Sequence, residues 1–307
     1  MTTTNPVLLS GDLDAIREFQ RAEESYYSLS DEELAFFKSQ TDIQDEGMLK
    51  AHIILVQALA FAVFPYACIR RFTFLKLKIS RMPKYEHLLK LGRERKDAIF
   101  LDIGCCFGND VRKAVADGFP IENVIASDLE QEFWNLGHSL FNSTQEKFPV
   151  PFLRGDALDE AFLPVSPPLR TPAETPAPAL SSLTSLAPLH GRVSAIHASS
   201  FFHLFGESQQ AQLAHSLGAL LSPVPGSVIF GAHAGMPTPC ALDEESSRKK
   251  QYFCHSPQSW VELWEGVFGE GMVQVDARLD PASGTNILPT ADNRPGKYTL
   301  VWSVMRV

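Results

Sequence analysis

Apolar residues change their spacing along this chain of 307 residues. Up to about Arg95 they recur at helical intervals, and from Ala98 onward short apolar runs alternate with helical stretches. In "SDEELAFF", Ser30 followed by Glu33 has the form of a capping box ahead of an apolar face. "DIQDEGMLKAHIILVQALAFAVF" opens with acids that suit a helix N-terminus and continues apolar. Residues 1–95 are therefore expected to form a helical cap or lid, which must bury itself on the domain that follows. Within it, Ile53 to Ile69 is slightly short for a membrane span, contains Gln57 and is broken by Pro65. A buried helix is the expected outcome, with peripheral membrane contact as the alternative.

The second part, residues 96–307, reads as alternating strands and helices. "AIFLDI" is nearly continuous in apolar residues, as suits the buried centre of a parallel sheet. "NVIAS" before Asp128, "PFLRG" before Asp156, "RVSAIHA" and "GSVIFGA" follow, with "NDVRKAVADG", "QEFWNLGHSLF", "ESQQAQLAHSLGALL" and "SPQSWVELWEGVF" as helices. This alternation predicts an α/β, Rossmann-like fold with a mostly parallel sheet. "GMVQVDARLD" and "KYTLVWSVMRV" predict an antiparallel C-terminal hairpin at the sheet edge, joined by a long loop, "DPASGTNILPTADNRPGK". Pro164 to Gly191 is rich in proline and serine, which excludes a regular helix in its first half. It is expected to be a mobile surface insertion, with a short helix at "ALSSLTSL".

Charge narrows the function. The net charge of −9 argues against a nucleic-acid partner. The basic run from Arg70 to Lys84 is local and is expected to be a solvated rim, or else a patch for an anionic ligand or membrane surface. Five cysteines without a disulfide spacing point to a reducing, cytoplasmic setting, and the N-terminus lacks the pattern of a signal peptide.

The chemistry lies in the turn after "AIFLDI", where open α/β sheets bind ligands. A dinucleotide frame counted from Gly104 would need glycines at Cys106 and Asn109. A Cβ at the first of these keeps backbone away from a pyrophosphate, and no Gly-Lys-Ser/Thr phosphate loop follows. S-adenosyl-L-methionine lacks phosphates and suits the acids instead. Asp102 could receive its methionine ammonium, Asp128 its ribose hydroxyls and Asp156 its adenine amino group, with Gly104 and Gly108 allowing close approach. Cys105 and Cys106 are read as small fillers of a tight turn, since neighbouring cysteines seldom bridge and show no zinc spacing. No metal site is expected.

"FLDIGCCFGNDVRKAVADGFP", "VIASDLEQEFWNLGHSLF" and "FLRGDALD" resemble the cofactor motifs of class I S-adenosylmethionine-dependent methyltransferases. Within that superfamily they are most similar to fungal secondary-metabolism enzymes, including meroterpenoid carboxyl methyltransferases, as is "FPYACIRRFTFL". The resemblance implies cofactor contacts from Gly104, Cys105, Asp128, Leu129, Asp156 and Ala157, with Leu129 on the adenine face. Ala198, just after the fourth strand, is a further candidate contact. The acceptor would be a small molecule methylated at oxygen (phenol or carboxylate) or sulfur.

A phenol, with a pKa of about 10, gains from a nearby base, and histidine is the usual one. His203 is the preferred candidate, with His197 and His233 beside it. Tyr26, Tyr27, Trp134, Phe201 and Phe202 could line an apolar acceptor pocket. Rival readings are a cofactor-assisted cyclase of the same fold and a non-catalytic regulator. A nucleotide-dependent oxidoreductase is disfavoured by Cys106 and Asn109.

Overall fold

In the computed structural model, which describes residues 26–243, 251–281 and 298–307, Ile99–Ile103 forms strand β1, buried at every position. Successive side chains on a strand face opposite sides of the sheet. Here both sides are covered: Leu101 and Ile103 join one apolar layer and Phe100 the other. That double burial is why the strand reads as apolar without alternation. Val124–Asp128 (β2), Phe152–Arg154 (β3), Val193–His197 (β4) and Val228–Gly235 (β5) run parallel to it. Cys240–Asp243 (β6) and Gln251–Cys254 (β7) make a separate two-stranded hairpin, which the sequence pattern does not announce. Val273–Pro281 (β8) and Tyr298–Arg306 (β9) are the expected antiparallel pair. The order β3-β2-β1-β4-β5-β9-β8 puts β8 at the edge. Most of the loop joining this pair lies outside the described residues.

The cap begins with Asp31–Thr41 (α1), whose capping box is complete: the Glu33 N–H donates to Ser30 Oγ at 3.3 Å and the Ser30 N–H to Glu33 Oε2 at 2.9 Å. Glu46–Val63 (α2) is capped by Asp45, which accepts from the Met48 N–H at 2.8 Å. The expectation of a buried helix needs correction. Leu49, Ile53, Val56 and Ala60 are buried, whereas Met48, Leu55 and Leu59 on other faces are exposed. By length and composition alone it is long and apolar enough to cross a membrane. The short Ala67–Arg70 (α3) leads into irregular backbone. The cap shares its core with the sheet domain: Phe37 stacks on Phe141 at 5.6 Å, and Phe74 meets Phe107 of the glycine turn at 4.8 Å.

Tyr85–Glu94 (α4), Asn109–Ala116 (α5) and Gln131–Leu140 (α6) cover one face of the sheet. Although α4 precedes residue 95, it therefore packs with the sheet and not with α1 and α2. Glu207–Leu220 (α7) and Pro257–Phe268 (α8) cover the other face. The proline-rich segment differs in part from expectation. Leu183, Leu186 and Leu189 are buried in the α7–α8 layer. Arg192 Nη2 donates to Thr175 Oγ1 at 2.7 Å and Arg306 Nη2 to the Leu169 carbonyl at 2.7 Å. Only three-residue turns form, at Leu180–Ser182 and Ala187–Leu189. The segment does lie on the surface over residues 165–182, as expected, but Leu183, Leu186 and Leu189 anchor its second half in the core.

Candidate active site

The turn from β1 into α5 is held by three left-handed residues: Gly104 at φ 71°, Cys106 at 49° and Gly108 at 73°. A Cβ at Gly104 would lie 2.8 Å from the Phe201 ring, and one at Gly108 2.6 Å from the Trp134 ring. Both glycines are therefore required by conformation and by close approach. Cys106 adopts the same strained region with a side chain. The Gly104 and Cys105 N–H groups donate to the Ser127 carbonyl at 2.9 and 3.1 Å, tying the turn to β2. Asp128, at the end of β2, accepts from the Cys106 N–H at 2.8 Å and the Glu130 N–H at 3.1 Å. Burial raises its pKa against the pull of those donors. Burial also pushes the Cys105 and Cys106 thiols well above the ordinary thiol range, so both stay protonated. That supports their reading as fillers and not nucleophiles. Among the described residues no cluster of metal-ligating side chains occurs.

Asp102 and His197 stand side by side on β1 and β4. His197 Nδ1 lies 2.8 Å from Asp102 Oδ1, and both side chains are buried. One carboxylate oxygen that the sequence offered to an ammonium is thus already engaged. Burial disfavours charge on His197, but Asp102 outweighs it through charge and hydrogen bonding and raises the pKa. Burial likewise lifts Asp102 to about 6 against the pull of His197. Both directions favour a proton held in the pair. His197 Nε2 is buried and has no partner within the protein.

The other two histidines differ. His203, in the turn Phe202–Leu204, is pushed down to about 4 by burial and by the nearby Lys78 charge. His233, the second candidate base, lies in the core. It is fully buried, accepts from Trp302 Nε1 at 2.9 Å and lies against Phe202 and Trp260. The period of β5 turns it to the α7–α8 face, opposite Phe230, which packs on His197. Burial holds it neutral, well below the usual histidine range.

Of the aromatic candidates, Phe202 and Trp134 are core residues, Phe201 backs Gly104, Tyr27 packs on Phe72, and Tyr26 is exposed. Leu129 is 49% exposed at the end of β2, an apolar face of the kind an adenine covers. Asp156 is exposed and accepts from the Leu158 N–H at 2.9 Å, with Ala157 buried beside it. Ala198 is buried and spends its N–H on the Phe230 carbonyl at 3.0 Å. Two features escape the sequence reading: the Asp102–His197 pair, which needs strand register, and Lys78, a single buried cation within the basic run.

Residues and ligand can now be matched. Acids at the ends of β1 and β2, an exposed Leu129 beside them and an unpartnered buried imidazole nitrogen at the adjoining strand end fit S-adenosylmethionine. Asp128 would serve the ribose, Leu129 and Asp156 the adenine, and the Gly104–Gly108 turn the methionine portion.

Comparison with known proteins agrees in kind. Residues 23–75 match the model of the meroterpenoid methyltransferase N-terminal domain. Methyltransferase ausD of Aspergillus calidoustus is 32% identical over 233 residues, 74% of this chain and 75% of that protein. The asnovolin E/chermesin D methyltransferase nvfJ of Aspergillus novofumigatus is 33% identical, over 83% of this chain and 82% of its own. The O-methyltransferase phiE of a fungal species is 32% identical, over 69% and 62% respectively.

Proposed function

The chain belongs to the family of fungal methyltransferases that includes ausD and nvfJ, and from that premise we propose that it moves the methyl group of S-adenosylmethionine onto a carboxylate oxygen of a small organic acid. The observation that carries this reading is the state of the three histidines, of which His197 is paired with Asp102 at 2.8 Å and favoured in its protonated form. His203, lowered to about 4, and the core residue His233 are too weakly basic to take a phenol's proton near neutral pH. A carboxylic acid is already ionised there and needs no base. The phiE protein's name, O-methyltransferase, supports oxygen as the acceptor atom.

When bound, S-adenosylmethionine supplies an electrophilic methyl group on a sulfonium. The chain's own contribution is alignment, since in-line transfer wants the reacting atoms about 3–3.5 Å apart. The turn between β1 and α5 would receive the donor, with the cap beside it through the contact of Phe74 with Phe107. The protonated Asp102–His197 pair can offer Nε2–H to an anionic oxygen.

A second reading rests on the same pair. An imidazole oriented by a buried carboxylate, with its other nitrogen unpartnered, is also the arrangement of a general base. It would serve a phenol. The pH profile separates the two. Methylation of a carboxylic acid is expected to hold steady and then fall as rising pH takes the proton from the Asp102–His197 pair, whereas base-dependent methylation climbs with pH. A climbing profile on a carboxylic acid would count against the first reading.

A further inference from the structure

The basic run from Arg70 to Lys84 is not simply a solvated rim. Lys76 and Arg81 both pair with Glu33, at 2.9 and 2.8 Å, and Lys84 lies 3.4 Å from Asp276. Lys78, between them, is only 8% exposed, and among the described residues its ammonium has no ion pair or hydrogen bond. The backbone fixes it there. Leu77 and Ile79 on either side are fully buried. The Ile79 N–H donates to Asp110 Oδ1 at 3.0 Å, and Asn109 Nδ2 donates to the Phe74 carbonyl at 2.6 Å. The segment is thus strapped across the N-terminal end of α5, directly after the glycine turn. The Lys78 charge also bears on Cys106 in the glycine turn and on His197 and His203 after β4, so it lies on the same side of the molecule as that turn.

A lysine whose stem is buried and whose ammonium has no partner among the described residues presents that charge at the end of an anchored side chain. A charge positioned in that way is suited to completion by a ligand of opposite sign. The ligand needed is an anion. A pyrophosphate is opposed by the Cβ of Cys106, and a carboxylate is the anion that this chemistry supplies. We propose that Lys78 is the carboxylate-recognising residue of the site, its ammonium held to receive one carboxylate of a bound molecule. Two sources share that group: the methionine tail of the cofactor and the acid of the methyl acceptor. The acceptor arm rests on the carboxylate reading above, and the cofactor arm does not.

The test compares the full chain with Lys78→Met, or with Lys78→Gln should the first variant not fold. Calorimetry measures S-adenosylhomocysteine, which carries the carboxylate, and 5′-methylthioadenosine, which lacks the amino-acid tail. Kinetics give KM for the carboxylic acid that the wild type methylates best. A loss of about 10–100-fold for S-adenosylhomocysteine alone, in the range of a charged hydrogen bond, supports the assignment with the cofactor tail as occupant. Unchanged S-adenosylhomocysteine affinity with KM raised by a similar factor supports it with the acceptor as occupant. In either case the ligand-free variant should melt close to the wild type, because the Lys78 ammonium has no partner among the described residues to lose. Unchanged affinity and KM overturn the assignment. So does equal weakening of both adenosine ligands with a lowered Tm, the signature of a packing role. A wild type that methylates no carboxylic acid overturns the acceptor reading. The Lys78 assignment falls with it only if the variant also binds S-adenosylhomocysteine normally.

Discussion

At the scale of single residues, the conformation of Cys106 makes a sharp claim. At an ordinary position glycine is less stable than alanine by about 0.5–1 kcal/mol. At φ 49° the order should reverse, because a Cβ in left-handed backbone costs about 1–2 kcal/mol. Cys106→Gly is therefore expected to be more stable than Cys106→Ala by about 1 kcal/mol in urea melts, and the opposite order would remove the strain argument. The sequence shows that a glycine frame is broken at this position, but residue type alone cannot show that the backbone keeps the glycine conformation. The Asp102–His197 pair makes a second claim. Asp102 is what raises the His197 pKa against burial. Asp102→Asn should move the His197 C2-proton titration to lower pH in NMR spectra, and an unmoved titration would mean that the pair does not hold the proton.

At the scale of elements, the N-cap of α1 does two jobs. Glu33 completes the capping box and is also the shared partner of Lys76 and Arg81. Burial would raise its pKa, but Lys76, the Ser30 N–H and Arg81 outweigh it and lower the value. A carboxylate depressed on folding contributes stability above the ordinary glutamate range and loses it as pH falls through the lowered value. Glu33→Gln is expected to cost about 1–3 kcal/mol at neutral pH, with the deficit shrinking toward roughly pH 3. A deficit independent of pH would contradict the ionic role. The capping box is legible from Ser30 and Glu33 alone, because it spans three residues. The ties to Lys76 and Arg81 span 43 and 48 residues and depend on how the cap folds back. The same limit applies to the segment from Pro164 to Gly191. Its prolines forbid a helix, as expected, but Leu183, Leu186 and Leu189 are drawn into the core by tertiary packing that no local pattern reveals.

At the scale of the whole molecule, strand-and-helix alternation was enough to read the parallel sheet and its antiparallel end, since burial on both faces makes β1, β4 and β5 mostly apolar. The acids at the ends of β1 and β2 were equally readable, because sheet topology places strand ends together. The histidines were less readable. Whether His197 or His233 meets the crevice depends on which face each strand turns toward it, and the two face opposite ways. That arrangement, with His203 held neutral, underlies the central claim that an already ionised oxygen is methylated. The direct measurement is product mass after incubation of the full chain with S-adenosylmethionine bearing a labelled methyl and a panel of carboxylic acids, phenols and thiols. Labelled methyl esters of carboxylic acids are expected as the main products. Labelled phenol ethers or thioethers without methyl esters would contradict it.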